Sequence, residues 1–450
     1  MGETPVPLNF ARHIDVDPAA EWILRDFLRA LRAFASHFFV EAKPVTLQPM
    51  DAPHIVHFFP GIRLSDGGVV RAVLDLCTAM AARGNRVTLV TFDSPDVPPH
   101  WPVVEPAAAA GTPAGVPNVV LLPVDRPAAF LPRLACDRWG ELLDAIPNAV
   151  VHFHTPWLPA GVQLGKSAVK RTVPFVVTIH GMLDNWSMAR KSLKKKVFLL
   201  LGGRRHLRRA ATIHWTATAE HDQGRRHIGT GGPVDVILPC LVDLSAFADL
   251  PDKVVGILHD GIWNPVLLFL SRLHEKKGAH DLIDAAAILR DRGMPFSLVI
   301  AGPADPGYEP RLRRQVETLK LSDRVRFTGM VTGAAKVSLL READLFILPT
   351  RQENFGLVLI EAMAAGCPVL TTRGTDIWRE LEDSGAVITD AKPAVMADAI
   401  ERLLANNRNG LVERGRKSRA WAMERFEPNR LAGEYEKMYR ACLAPGGSNP

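Results

Sequence analysis

The chain has 450 residues, 47% apolar and 23% charged, with a formal net charge of +6 and five scattered cysteines. That length exceeds one compact core and predicts two domains, and the composition excludes a largely disordered chain. Cys77, Cys136, Cys240, Cys367 and Cys442 form no C-x-x-C pair, which argues against a disulfide framework or zinc site and favours a reducing compartment.

The chain opens MGETPVPLNFARHIDVDP, without a basic stretch leading into an apolar core, so no signal peptide is expected. No run reaches the ~20 apolar residues that span a bilayer, and the expectation is a cytoplasmic protein. Residues 1–50 precede the first strand as an N-terminal extension. Within them, residues 19–39 place apolar side chains at 23, 24, 27, 28, 31, 34 and 38, the pattern of an amphipathic helix. Such a helix packs against the body or lies on a membrane surface. Asp15-Val-Asp17 has the form of a metal-binding D-x-D, but its place before that helix suits a cap better.

Continuous apolar runs then recur at 54–59, 86–92, 118–124, 149–154, 174–180, 212–218 and 234–238. A second series follows at 266–271, 296–302, 324–329, 344–350, 368–372 and 386–389. Runs without alternation suit strands buried on both faces of a parallel sheet. Helical stretches such as 67–84 and 278–293 separate them, each closed by glycine. Two such strand–helix series predict an α/β chain with two doubly wound domains, residues 51–250 and 251–450, the change of rhythm falling in 243–265.

Candidate site residues fall at the carboxyl ends of these strands, where open α/β sheets bind ligands. Gly67 and Gly68 open the first long helix and allow close approach of a phosphate, although the stretch is neither G-x-G-x-x-G nor a Walker A motif. His152 and His154 share a strand face with no third ligand in view, which argues against a metal. His180, followed by Gly181, ends the 174–180 strand and faces the expected cleft; a structural histidine reads equally well there. From Arg190 to Arg209 there are nine Lys/Arg and no Asp/Glu. A solvated helix face explains this run most simply, and an anionic membrane surface or a polyanion are the alternatives. Without aromatic interleaving or a recognisable nucleic-acid motif, nucleic acid is not expected as a partner.

Arg272 and Lys277 follow the 266–271 strand; on their own they read most simply as a solvated loop, and the alternative is a clamp for a diphosphate, to which Arg offers a planar fork and Lys a point charge. The stretch 350–372 reads TRQENFGLVLIEAMAAGCPVLTT. A helix from about Gly356 leaves free N–H groups near Asn354, Phe355, Gly356 and Leu357 for an anion. Glu353 lies just before that helix and Glu361 one turn or more inside it; glutamates at this spacing arise by chance in most helical proteins, and the functional alternative is that carboxylates so placed accept hydrogen bonds from sugar hydroxyls.

With SRLHEKKG, LVIAGP, RVRFTGMV and ADLFILPTRQENFGLVLIEAMAAGCPVLTT in view, the chain resembles retaining glycosyltransferases of the GT-B fold, of the GT4 type with its E-x7-E signature. GGVVRAVLDLCTAMAARGNRVTLVT, VVHFHTPW and VVTIHGM carry the resemblance more loosely in the first half, and together it covers about residues 53–440. The resemblance implies two Rossmann-like domains facing across a cleft, an acceptor domain then a nucleotide-sugar donor domain, with the last helix packing back on the first. It implies that Glu353 contacts the donor sugar and Glu361 the ribose. Arg272, Lys277 and the amides of Asn354, Phe355, Gly356 and Leu357 would hold the diphosphate. Gly67 and Gly68 would face donor and acceptor, His180 would lie beside the transferred sugar, and the stretch around Met330 would touch the base, through backbone more than side chain. His180, Glu353, Arg272 and Lys277 are then the catalytic candidates, with no metal or other cofactor beyond the nucleotide-sugar substrate. Where the family commonly has P-N-G-V-D, this chain has Pro239-Cys240-Leu241-Val242-Asp243. The continuation HGMLDNW is similar to a subgroup that builds bacterial surface polysaccharide.

The expected function is transfer of a hexosyl unit from a nucleotide-diphosphate sugar to a glycan or lipid-linked acceptor, with an anionic membrane surface as a further candidate partner and a peripheral place on the inner membrane face. A nucleotide-sugar epimerase of similar fold and a non-catalytic nucleotide-sugar-binding protein are the alternatives.

Overall fold

Residues 52–124, 130–250, 265–405 and 407–444 are described by a computed structural model. The helix expected over 19–39, the Asp15-Val-Asp17 pair and positions 251–264 of the expected boundary lie outside the described residues.

The apolar runs form short parallel strands in two sheets. The first contains β1 (His54–Phe58), β2 (Arg86–Thr91), β3 (Asn118–Leu121), β4 (Ala149–Phe153), β5 (Phe175–Thr178), β6 (Thr212–Trp215) and β7 (Val234–Ile237), in the order β3-β2-β1-β4-β5-β6-β7. The second contains β8 (Val266–Leu270), β9 (Ser297–Ala301), β10 (Val325–Gly329), β11 (Leu345–Leu348), β12 (Val369–Thr372) and β13 (Val387–Thr389), in the order β10-β9-β8-β11-β12-β13. Strands such as β1, β4, β9 and β11 are buried along their whole length, which is why they lack alternation.

In each sheet the chain winds to one side and then crosses to the other. The order reverses between β1 and β4 in the first sheet and between β8 and β11 in the second. A crevice opens at such a point because the following helices leave on opposite faces. Register across the two reversals pairs His57 with His152, and Phe346 with Leu268.

One apolar cluster, with Phe58, Trp139, Phe153, Phe175 and Trp215, fills one side of the first sheet. A larger cluster runs from Val73 and Met80 of the helix Gly68–Ala82 through the second sheet to the last helix. That helix, Pro428–Leu443, starts with proline, and the Glu427 carboxylate accepts from the N–H of Asn429. It buries Leu431, Tyr435, Met438, Tyr439 and Cys442 along one stripe. Each large side chain so buried contributes roughly 1.5–3 kcal/mol. The helix lies against the first sheet: Tyr439 Oη is 2.8 Å from His152, and Arg83 donates to Glu436 at 3.0 Å.

The Pro239–Asp243 departure is packed rather than open. Cys240, Leu241 and Val242 are buried in the larger cluster, and the Pro239 carbonyl accepts from Tyr435 at 2.9 Å.

Candidate active site

The loops after β8 and β11 are stitched together. The N–H of Arg351 donates to the Lys276 carbonyl at 2.7 Å, and the Thr350 hydroxyl to the same oxygen at 3.1 Å. Gly278 takes φ +77°, and a Cβ there would come within 2.1 Å of the Pro349 carbonyl. Only glycine therefore allows the two loops to close. Closure brings Lys277 against Glu353, and the ammonium and carboxylate pair directly with both side chains largely buried. Burial, then Lys276 and Arg272, push the Lys277 ammonium below its ordinary range. The Glu353 carboxylate in contact with it favours the charged ammonium and opposes that shift. Backbone bonds fix Glu353 in turn: its N–H reaches Gly374 at 2.8 Å, and its carbonyl accepts from Asp376 at 2.9 Å.

The helix Leu357–Ala364 begins beside this pair, with Gly356 at φ +69° as its cap. Among the described residues, the N–H groups of Asn354, Phe355, Gly356 and Leu357 have no protein acceptor. Four free amides at a helix start next to two cations form a site for an anion. One turn on, Glu361 accepts from Lys336 Nζ at 2.6 Å.

Loops from the first sheet face this surface. A Cβ on Gly68 would lie 3.5 Å from Leu357, and one on Gly181 would lie 2.7 Å from the Asn354 side chain. His180, just before Gly181, has φ +51°, a strained conformation for a residue with a side chain. Its imidazole is buried and, with a pKa lowered to about 3 by burial and by His214, neutral.

Direct bonds hold the two halves together here. Gln352 donates to Asp184 at 2.6 Å, Gln223 to Asp376 at 2.9 Å, and the N–H of Thr218 to Glu380 at 2.9 Å. The fully buried Glu220 accepts from the N–H groups of Gly181 at 2.5 Å and Thr216 at 2.6 Å. The Thr216 hydroxyl lies 2.8 Å from Glu220 and 3.1 Å from Asn354 Oδ1, and its single proton serves one of them. Burial, then the charges of Glu220 and Asp184, push Asp376 up to about 8.

Residues 67–240 match the family described as "Glycosyl transferase 4-like domain", and residues 263–418 that described as "Glycosyl transferases group 1". A phosphatidyl-myo-inositol mannosyltransferase of Mycobacterium leprae is 30% identical over 386 residues, covering 84% of this chain and 94% of the relative. The chain belongs to the GT4-type family of GT-B glycosyltransferases. A D-inositol 3-phosphate glycosyltransferase of Jonesia denitrificans is 28% identical, with 76% of this chain and 83% of the relative covered. Among solved structures, Anabaena HepE in complex with UDP superposes with a TM-score of 0.68 at 17% identity, covering 86% of this chain and 100% of that one. Sucrose-phosphate synthase from Thermosynechococcus elongatus gives 0.67 at 20% identity, covering 87% and 99%. These two likenesses establish the two-sheet fold.

In this glycosyltransferase, Lys277, Glu353, Asn354, Phe355, Gly356, Leu357, Gly68 and His180 come together at one crevice, with Glu361 a turn away. Arg272 is exposed at its rim, near enough that its charge lowers Lys276 and Lys277. Gly67, at φ +117°, caps the helix that Gly68 begins. Met330 follows β10, two strands from β8, and is 69% exposed. The Phe355 ring packs edge-on against Phe426 at 5.8 Å, leaving only its backbone for a ligand.

Sequence reasoning missed Lys336, Gln352, Asp184 and Trp186. Lys336 carried a signal: a cation in the first turn of the helix Gly333–Glu342 opposes the helix dipole and needs a reason to be there. Trp186, in the short helix Asn185–Ala189, stacks under Arg190 at 4.1 Å and lies 5.6 Å from Lys276 Nζ, a contact between segments far apart in the chain that spacing does not reveal. The third imidazole beside His152 and His154 was also missed. It is His57, brought in from β1 by strand pairing.

Proposed function

We propose that this glycosyltransferase moves a hexosyl unit, with retention, from a nucleoside-diphosphate sugar to a hydroxyl of a glycan or lipid-linked acceptor in surface polysaccharide assembly. The observation that carries the reading is the Lys277–Glu353 pair beside the free amides of Asn354 to Leu357 at the β8/β11 reversal. A diphosphate entering there exchanges the Glu353 carboxylate for its own oxygens on Lys277 and gains Arg272 and the amides. Glu353, released, turns to the sugar hydroxyls, while Glu361 holds the ribose.

Breaking the sugar–phosphate bond puts positive charge on the anomeric carbon and negative charge on the departing diphosphate. Fixed cations and amides stabilise the latter without a metal ion. A neutral His180 sits beside the former without repelling it. Attack by the acceptor hydroxyl on the face the diphosphate leaves, with the diphosphate taking the proton, gives retention and needs no protein nucleophile. The UDP held by Anabaena HepE supports a nucleoside diphosphate as the leaving group. The phosphatidyl-myo-inositol mannosyltransferase of M. leprae supports a lipid-linked acceptor.

Among the described residues no helix is long and apolar enough to cross a membrane. The basic segment 190–209 instead projects Leu193, 75% exposed, and Leu200, 80% exposed, among exposed lysines and arginines. This pairing of apolar tips with positive charge supports docking on an anionic membrane at the inner face.

Nucleoside diphosphate release that requires acceptor, with product anomeric configuration read by NMR and with EDTA present, tests the reading. Retention that EDTA leaves unchanged supports it. An isomerised donor without acceptor would favour an epimerase, and nucleotide-sugar binding without turnover a non-catalytic role.

A further inference from the structure

Five buried imidazoles, His57, His152, His154, His180 and His214, lie around the β1/β4 reversal. Their hydrogen bonds sort them into two chains. In one, Tyr439 Oη is 2.8 Å from His152 Nδ1, and His152 Nε2 is 2.5 Å from the Thr178 hydroxyl. Thr178 is 2.7 Å from His214 Nδ1, and His214 Nε2 is 2.9 Å from the Leu238 carbonyl. A carbonyl only accepts, so His214 carries its proton on Nε2. Thr178 then donates to His214, His152 donates from Nε2 to Thr178, and Tyr439 donates to His152. Tyr435 Oη, 3.4 Å from the same His214 Nε2, gives its own proton to the Pro239 carbonyl at 2.9 Å, so every proton in this chain has one place.

The other chain runs from His57 Nδ1 to His154 Nε2 at 2.9 Å, and from His154 Nδ1 to His180 Nε2 at 3.3 Å. A neutral imidazole has one donor and one acceptor, so all the protons point the same way along it. Toward His57, the chain would end in an N–H on His57 Nε2, a buried atom with no partner among the described residues. The Tyr439 ring, edge-on at 6.2 Å between centroids, offers that N–H only a weak acceptor. Toward His180, the same atom is a bare lone pair. Orphaned buried N–H groups are rarer than orphaned acceptors.

We propose that His57 and His154 are positioning residues that hold His180 as its Nδ1–H tautomer, so that the ring offers a donor to a hydroxyl of the sugar in the crevice. His180 Nδ1 has no partner among the described residues, which leaves it for a ligand. The ligand's identity rests on the proposed transferase reading; the tautomer does not. A metal on His57, His152 and His154, whose nitrogens lie within 4.8 Å of one another, is the competing use of these rings. It would break the His57–His154 bond and take a His152 nitrogen already held by Tyr439 or Thr178.

The test is the tautomer of each ring in the full chain, read by long-range proton–nitrogen correlation on protein labelled only at histidine nitrogens and assigned from single His→Gln replacements. The expected pattern is Nδ1–H at His57, His154 and His180, and Nε2–H at His152 and His214, the last two serving as an internal control. Nε2–H at His180 overturns the proposal, as does stoichiometric metal in the purified protein by elemental analysis. In His57→Asp the carboxylate should draw the proton of His154 to Nε2 and so place that of His180 on Nε2. The expected result is kcat lowered about tenfold, the equivalent of one hydrogen bond, with nucleoside diphosphate affinity within about twofold. If His180 keeps Nδ1–H in a folded His57→Asp, the relay does not set it. Should that variant fail to fold, the wild-type spectrum still decides. The predicted tautomers in a protein that transfers no sugar would uphold the relay and remove the transferase reading alone.

Discussion

Between β8 and β11 the crevice is lined with charge: Lys277 on Glu353, Arg272 at the rim, and Lys336 on Glu361 one turn further. Around the β1/β4 reversal the same topological position holds neutral rings, His57, His152, His154 and, just past β5, His180, all kept uncharged by burial. One winding pattern thus builds two facing walls of the crevice, one charged and one neutral. Under the proposed reading, fixed charge suits the side that would receive a diphosphate, because cations preorganised for a leaving group cost no rearrangement during reaction. Neutral donors would suit the side that, in the same reading, faces an anomeric carbon turning positive, where an imidazolium would repel.

The contrast breaks first at Lys277. Lys277→Met should lower turnover by about 100- to 1,000-fold, as loss of one preorganised charge-stabilising group does. It should also destabilise the fold by roughly 3 kcal/mol, since Glu353 is left largely buried and unpaired. Steady-state kinetics and thermal melts read both effects. Adding Glu353→Leu should restore the melting temperature but not the activity; recovery of activity would show the pair to be structural. On the neutral side, His180→Gln should cost only about tenfold in kcat, one hydrogen bond's worth. A larger loss at His180 than at Lys277 would reverse the assignment of the two walls.

Acid sharpens the comparison. His57 and His180 have folded pKa values lowered to about 3, and His214 to about 4, against an ordinary value of 6.5. The unfolded chain takes up their protons first as pH falls. Stability from keeping these rings neutral is therefore complete above pH 6.5 and declines below it, by about 1.4 kcal/mol per pH unit for each ring. Denaturant melts between pH 7 and 4.5 should show a steep loss, made shallower by His57→Phe if the variant folds.

Asp376 has the opposite sign. Its folded pKa is raised to about 8 from 3.8, so its contribution falls as pH rises from about 4 to 8 and levels off above. Asp376→Asn keeps an acceptor for Gln223 and should stabilise the protein more at pH 8 than at pH 5, by melting temperature. The smallest effect belongs to Lys336→Met, which frees Glu361 on a more open surface. A severalfold rise in donor KM with little change in kcat is expected, since the interaction holds ground and transition states alike.

Much of this was legible before any coordinates. Buried parallel strands announce themselves as unbroken apolar runs, and the loops after them carry the chemistry, so Arg272, Lys277, Glu353 and the helix start after Gly356 could be named from position. The pairing of Lys277 with Glu353 could not, because it depends on Gly278 closing one loop on another. Nor could His57, which enters the imidazole cluster only through the β1–β4 register. Lys336 and Asp184 were hidden for the same reason: their partners, Glu361 and Gln352, sit 25 and 168 residues away. The sequence shows which residues are available for chemistry, whereas tertiary closure decides which of them meet.

The most direct test of the charged crevice is calorimetric titration of the wild-type chain and of Lys277→Met with a panel of nucleoside diphosphates. At least one should bind the wild type in the micromolar range, and Lys277→Met should weaken it by about tenfold or more, one charge-assisted contact to a phosphate. Equal affinity in the two proteins, or no binding by the wild type to any member of the panel, would contradict the account.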